Sequence, residues 1–151
     1  MAILQADRII SVLRGAFAKE SSRQQLLQIV ADKMHAVGAP YTSVYLYMLH
    51  GDDLVLESYA GRETDHQRIR VGHGVCGTAV LLNADQNVPD VQDRENYIAC
   101  NLFTKSELVV LIRRGSEILG QIDVDSDVLD PFSDDEVAEV RKVAEALAVL
   151  L

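Results

Sequence analysis

Two runs of apolar and β-branched residues, Glu107 to Ile112 and Ile118 to Asp125, flank the stretch Arg113-Arg114-Gly115-Ser116-Glu117. Such runs around a short glycine-containing turn specify a β-hairpin. This hairpin constrains the chain more than any other stretch, because acidic residues enter an otherwise apolar ribbon there. With the turn centred near Gly115, Glu107 is expected opposite Asp123. Asp125 shares the Asp123 face, since strand side chains alternate. Three carboxylates then converge on one patch, and Cys100 enters from the open end of the ribbon. Carboxylates seldom occupy core strand positions without a partner that offsets their desolvation. The patch reads as a site for a cationic group or for proton chemistry.

The rest of the chain sets the bounds. Its 151 residues suffice to bury a proper core and are read as one domain, 1–151. A net charge of −9 argues against nucleic acid and anionic membranes as partners and suits small or cationic ligands. No apolar run approaches the roughly 20 residues that span a bilayer. The N-terminus lacks the basic start and cleavage site of a signal peptide, so a cytoplasmic location is expected. Cys76 and Cys100 are the only cysteines. In such a chain they read as buried thiols or redox centres rather than as a disulfide framework.

Ile3, Ile9, Ile10, Leu13 and Phe17 recur at helical spacing and predict an amphipathic helix over the first twenty residues. Its apolar face is expected in the core, with a dimer partner as the alternative for part of it. Ser22 and Gln25 form a capping-box pattern that opens a second helix, ended by Gly38 and Pro40. Thr42 to Leu49 and Leu54 to Tyr59 read as strands around the turn His50-Gly51-Asp52-Asp53. Arg62 to Arg70 is polar and aperiodic, a loop crossing a pocket mouth or plain surface. Gly72 to Val80 predicts a tight loop feeding a short helix, with Cys76 in its first turn. There the helix dipole favours a thiolate, although a small buried hydrophobe is the equal alternative. Val88-Pro89-Asp90-Val91 is expected as an edge strand. Ser133 to Glu136 is a second capping-box pattern, opening a helix with Val137, Val140, Val143, Ala144, Leu147 and Leu151 inside. The order predicts an α+β fold, with the N- and C-terminal helices covering one face of an antiparallel sheet. The other face is left to loops and a ligand. No metal site is expected from Cys100 and the acids, because no histidine lies near them in sequence.

The motifs GHGVCGTAV, VPDV, YIAC, SELVVLI and GQIDVDS, in this order and spacing, resemble the GAF-domain free methionine-R-sulfoxide reductases, with a looser match around GDDLVL. The resemblance implies a six-stranded antiparallel sheet backed by helices, in a homodimer. It implies that Cys100 is the attacking thiol and that Glu107, Asp123 and Asp125 hold the substrate. It implies no bound cofactor, and an external thiol reductant of the thioredoxin or glutathione type. Clustered carboxylates suit the substrate's ammonium group, and their mutual repulsion keeps a proton available for the sulfoxide oxygen. The α-carboxylate is placed on backbone N–H groups near Gly74 to Gly77. A sulfenic acid on Cys100 is then resolved by Cys76 or directly by the external thiol. Two family features are replaced: Asp65-His66-Gln67 stands where a third cysteine occurs, and Ser43 where a tryptophan occurs. Tyr45, Tyr47 or Phe103 is expected to supply the apolar surface instead. The alternative to an enzyme is a GAF module that senses a small molecule or acts as a redox switch.

Overall fold

The protein is described by a computed structural model over residues 1–93 and 103–151. Its elements run α1 (Ala6–Ala18), α2 (Arg23–His35), β1 (Ser43–His50), β2 (Asp53–Ala60), β3 (Arg68–Arg70), α3 (Gly74–Leu82), β4 (Gln86–Val88), a 3-10 turn (Val91–Asp93), β5 (Ser106–Arg114), β6 (Glu117–Ser126) and α4 (Asp134–Leu150). The strands form one sheet in the order β3-β2-β1-β6-β5-β4, and every neighbouring pair is antiparallel. This is the expected α+β architecture: α2 and α4 pack on one face of the sheet, and α1 packs against both of them on that side. Leu13, Leu27, Val30, Met34, Val140, Val143 and Leu147 meet Val44, Leu46, Leu108, Val110, Ile122 and Val124 there, all fully buried. On α1, Ile9 and Leu13 take the core positions, whereas Phe17 is exposed, as is Ile3 ahead of the helix. No helix among the described residues is long and apolar enough to cross a membrane.

The β5–β6 hairpin differs from expectation in register and keeps the expected face. Arg114 pairs with Glu117 across the two-residue turn Gly115-Ser116, and Gly115 takes the positive φ of 60° that such a turn requires. A bulge then leaves Leu119 without an opposite residue, so that Ile112 pairs with Gly120 while Arg113 pairs with Ile118. Turn and bulge together move the partner of Glu107 two residues along, to Asp125, and Asp123 pairs with Val109. A shift of two preserves side-chain facing, because the strand period is two. The acids therefore still share a face.

Three local readings are corrected. The strand expected over Val88 to Val91 is instead Gln86–Val88, since Pro89 has no N–H to continue the ladder and the chain turns into the 3-10 segment. Arg68–Arg70, read as loop, is an edge strand paired with β2. The capping box at Ser22 is complete, but the one at Ser133 is half formed. Ser133 accepts from the Glu136 N–H at 3.2 Å, whereas the Glu136 carboxylate turns away from the cap. It accepts from the N–H of Ile3 at 2.7 Å, the N–H of Leu4 at 2.9 Å and the hydroxyl of Tyr41 at 2.5 Å. One buried glutamate thus ties the N-terminal segment, the entry to β1 and the start of α4 together.

Candidate active site

The face away from α1, α2 and α4 is built row by row from strand pairing. β6 carries Gln121, Asp123 and Asp125 on this face. β1 sets Tyr47, Tyr45 and Ser43 beside them, and β5 sets Leu111, Val109 and Glu107 on the other side. Asp125 therefore lies between Ser43 and Glu107, and Asp123 between Tyr45 and Val109. The three acids are 1 to 4% exposed. Tyr45 and Tyr47 form the apolar floor, with Tyr45 stacked on Tyr59 at 6.0 Å between centroids.

α3 covers this face. It packs tightly against the connection from β3, which requires glycine at position 77, where a Cβ would stand 2.5 Å from the Arg70 carbonyl oxygen and 2.9 Å from the Gly72 nitrogen. The helix brings Cys76 onto the acids: its Sγ donates to Glu107 Oε2 at 3.6 Å, and its carbonyl accepts from Gln121 Nε2 at 3.0 Å. The loop over residues 61–67 closes the opposite wall. Tyr45 donates its hydroxyl to the Arg62 carbonyl at 2.8 Å and Tyr47 to the His66 carbonyl at 2.7 Å. The Arg62 N–H donates to Ser43 Oγ at 2.9 Å. Its guanidinium makes a two-point contact with Asp127, at 2.7 and 2.5 Å, and lies 5.4 Å above the ring of Phe103. What remains is a cavity of about 10 Å³, room for roughly one water, lined by His66, His73, Val75, Cys76, Glu107 and Asp123 among others.

The electrostatics follow from that burial. Asp123 is pushed up to about 7, first by desolvation and then by the charge of Asp125. Hydrogen bonds from Glu107 and Cys76 pull it partly back. Two carboxyl groups joined by a hydrogen bond must hold a proton between them, so the cluster carries exchangeable acid at neutral pH. Asp123 Oδ1 has no hydrogen-bond partner among the described residues. Of the two readings of Cys76, the buried hydrophobe holds and the thiolate does not. Cys76 does lie in the first turn of α3, but burial and then the charges of Asp123 and Glu107 drive its thiol well above the ordinary value. A helix dipole worth about 1 kcal/mol cannot oppose burial beside carboxylates. Of the N–H groups proposed for an α-carboxylate, that of Gly77 is engaged within α3, donating to the His73 carbonyl at 2.9 Å. Cys100 lies outside the described residues.

A GAF domain family model matches residues 22–151. The chain is 37% identical over 105 residues to the free methionine-R-sulfoxide reductase of Escherichia coli, a match covering 70% of this chain and 63% of that protein. The match thus spans less than two thirds of that relative. The structure of a type II free methionine-R-sulfoxide reductase from Thermoplasma acidophilum superposes with a TM-score of 0.82 at 35% identity, over 85% of this chain and 91% of that one. The chain belongs to the GAF-domain free methionine-R-sulfoxide reductase family. A further neighbour at 25% identity, the Neisseria meningitidis reductase in complex with its substrate, has a TM-score of 0.86 over 96% of this chain and 87% of that one.

In this GAF domain the structure brings together Glu107, Asp123, Asp125, Tyr45, Tyr47 and Cys76. Phe103, also expected as apolar surface, is 66% exposed and lies beneath the Arg62 guanidinium. Gln121 was missed by sequence reasoning, and so were the wall residues Arg62 and His66 individually, although their loop was read as crossing a pocket mouth or as surface. Gln121 was within reach, two residues before Asp123 on the same strand face. The wall residues were not, since their loop has no periodicity.

Two changes test this arrangement. Asp123→Asn is expected to raise stability by on the order of 4 kcal/mol at pH 8, since Asp123 is displaced from 3.8 to about 7 and each pKa unit of displacement corresponds to about 1.4 kcal/mol. The sign follows from linkage. Asp123 sits at 3.8 unfolded and about 7 folded, so the folded state binds more protons between these values. The parent therefore loses stability as pH rises through that window, and the variant does not. Urea titrations at pH 4 and pH 8 check it, and an advantage that fails to grow with pH would show that Asp123 is not the titrating group. Ser43→Trp, which restores the family's residue, is expected to cost about 2 kcal/mol or more through overpacking. Ser43 is fully buried, and Gly61 packs so close that a Cβ there would lie 2.6 Å from Ser43 Oγ. Equal Tm values for variant and parent would mean that the 61–67 loop moves aside freely.

Proposed function

We propose that this GAF domain reduces free methionine-R-sulfoxide to methionine with Cys100 as the nucleophile. The observation that carries the reading is the row of three buried carboxyl groups beside a tyrosine floor. The carboxylates pair the substrate's α-ammonium, and the floor of Tyr45 and Tyr47 receives its methylene chain. A proton held within the acid cluster is donated to the sulfoxide oxygen, which makes sulfur electrophilic. Cys100 attacks, and the oxygen passes from the sulfoxide to the cysteine sulfur. Methionine leaves, and Cys100 remains as a sulfenic acid. A second thiol then forms a disulfide with Cys100 and releases the oxygen as water. The neutral, buried state of Cys76 favours an external thiol, thioredoxin or glutathione, for that step over Cys76 itself. The exposed Val12 and Phe17 of α1 support a homodimer. The negative net charge and the absence of a spanning helix among the described residues are consistent with a cytoplasmic enzyme that engages neither nucleic acid nor membrane.

The test is NADPH consumption through thioredoxin reductase and thioredoxin with the two free sulfoxide epimers as substrates. Turnover of the R epimer and none of the S epimer is expected. No turnover of either, with thioredoxin and with glutathione, would leave a binding module in place of an enzyme.

A further inference from the structure

We propose that the reduced protein binds one thiophilic divalent cation, zinc, through Cys76 Sγ, Glu107 and Asp123. The donor atoms of these three residues lie within 4.8 Å of one another, and all three residues are buried. The 3.6 Å between Cys76 Sγ and Glu107 Oε2 is the span of a tetrahedral centre, since zinc–sulfur and zinc–oxygen bonds of about 2.3 and 2.1 Å at a tetrahedral angle set those atoms about 3.6 Å apart. Asp123, 1% exposed, lines the same cavity, and its Oδ1 has no hydrogen-bond partner among the described residues. That cavity, about 10 Å³, has room for little more than a single ion.

His66 and His73 line it as well, so an imidazole or a water completes the four ligands. The sequence hid this set. Its members come from the 61–67 loop, the start of α3, β5 and β6, and the acids have no histidine nearby in the chain. The physical drive is plain: a dication neutralises like charges that the empty protein holds together out of water. As the zinc bonds form, the thiol proton and the proton shared by Glu107 and Asp123 both leave to solvent. An occupied site leaves no place for an ammonium group, so the ion inhibits the reductase reaction proposed above. Binding itself is measured without substrate and does not depend on that reaction.

The experiment titrates the reduced full chain with Co²⁺ under anaerobic conditions and then displaces it with Zn²⁺. Expected are one equivalent bound, tetrahedral visible bands, and a thiolate-to-cobalt charge-transfer band in the near ultraviolet. The band should persist in Cys100→Ser and vanish in Cys76→Ser. Asp123→Asn and Glu107→Gln should weaken binding by more than about tenfold, since losing even a group that only supports a ligand costs as much. If circular dichroism shows Cys76→Ser unfolded, Asp123→Asn carries the test. No saturable binding, a charge-transfer band that survives in folded Cys76→Ser or vanishes in Cys100→Ser, or unchanged affinity in Asp123→Asn would overturn the proposal.

Discussion

Cys100→Ser is expected to lower turnover of free methionine-R-sulfoxide by at least about a thousandfold, the scale of loss when a nucleophile is removed. A serine hydroxyl is a far poorer nucleophile towards sulfur and forms no sulfenic acid. The size of the effect also depends on whether another thiol can take over. Cys76 is the only other cysteine, and it is 5% exposed, donating to Glu107 in the company of Asp123 and Asp125. Burial and those carboxylates keep it as a thiol, and a thiol does not attack. Circular dichroism and Tm should stay those of the parent. Activity near that of the parent would move the nucleophile to Cys76 and overturn the electrostatic reading of the site.

The second large effect is on stability. Glu136→Ala is expected to cost about 3 kcal/mol or more. It leaves two backbone N–H groups and the Tyr41 hydroxyl without their acceptor, and a buried orphan costs about 1 to 3 kcal/mol. The N-terminal segment recovers part of the loss by turning Ile3 and Leu4 to water. Tyr41, fully buried and in edge contact with Phe132, has no such escape. For a chain of this size that loss lowers Tm by about 10 °C, at about 2–4 °C per kcal/mol. Glu136→Gln, which keeps one acceptor oxygen, should fall between parent and alanine. A Tm for Glu136→Ala within about 2 °C of the parent would show that these three hydrogen bonds contribute little net stability.

The two capping patterns show what was legible in the chain and what was not. At Ser22 both halves of the box lie within four residues, and the structure contains both. At Ser133 the local pattern is as good, yet Glu136 answers to donors more than ninety residues away. Tertiary partners outbid a local one, and nothing near Ser133 announces them. The hairpin behaved differently. Its turn and its bulge each moved the register by one, and the two displacements together restored the facing, so the acid patch was legible although Glu107 was matched to the wrong aspartate. Cys76 was placed correctly but its two equal readings, thiolate or buried hydrophobe, stayed undecided, because the helix start is visible in the sequence and the covering acids are not. Pro89 was a local signal misweighted: it ends β4 rather than sitting within it. His66 joins the site only through the fold of an aperiodic loop.

All three acids stand on one hairpin closed by a two-residue turn. Their meeting is thus a local event, of the kind that hairpins complete in about 1–10 μs, well before distant elements assemble. The like charges converge when β5 and β6 zip, while α3 and the 61–67 loop are still elsewhere. Water still surrounds the carboxylates at that moment, so the ribbon closes with their repulsion screened. The electrostatic penalty arrives afterwards, when α3 lays Cys76 over the patch and expels the solvent. Proton uptake consequently belongs to the late docking of α3 rather than to the formation of the hairpin. The lid, and not the strands that carry the charges, is the part of the molecule whose arrival depends on pH.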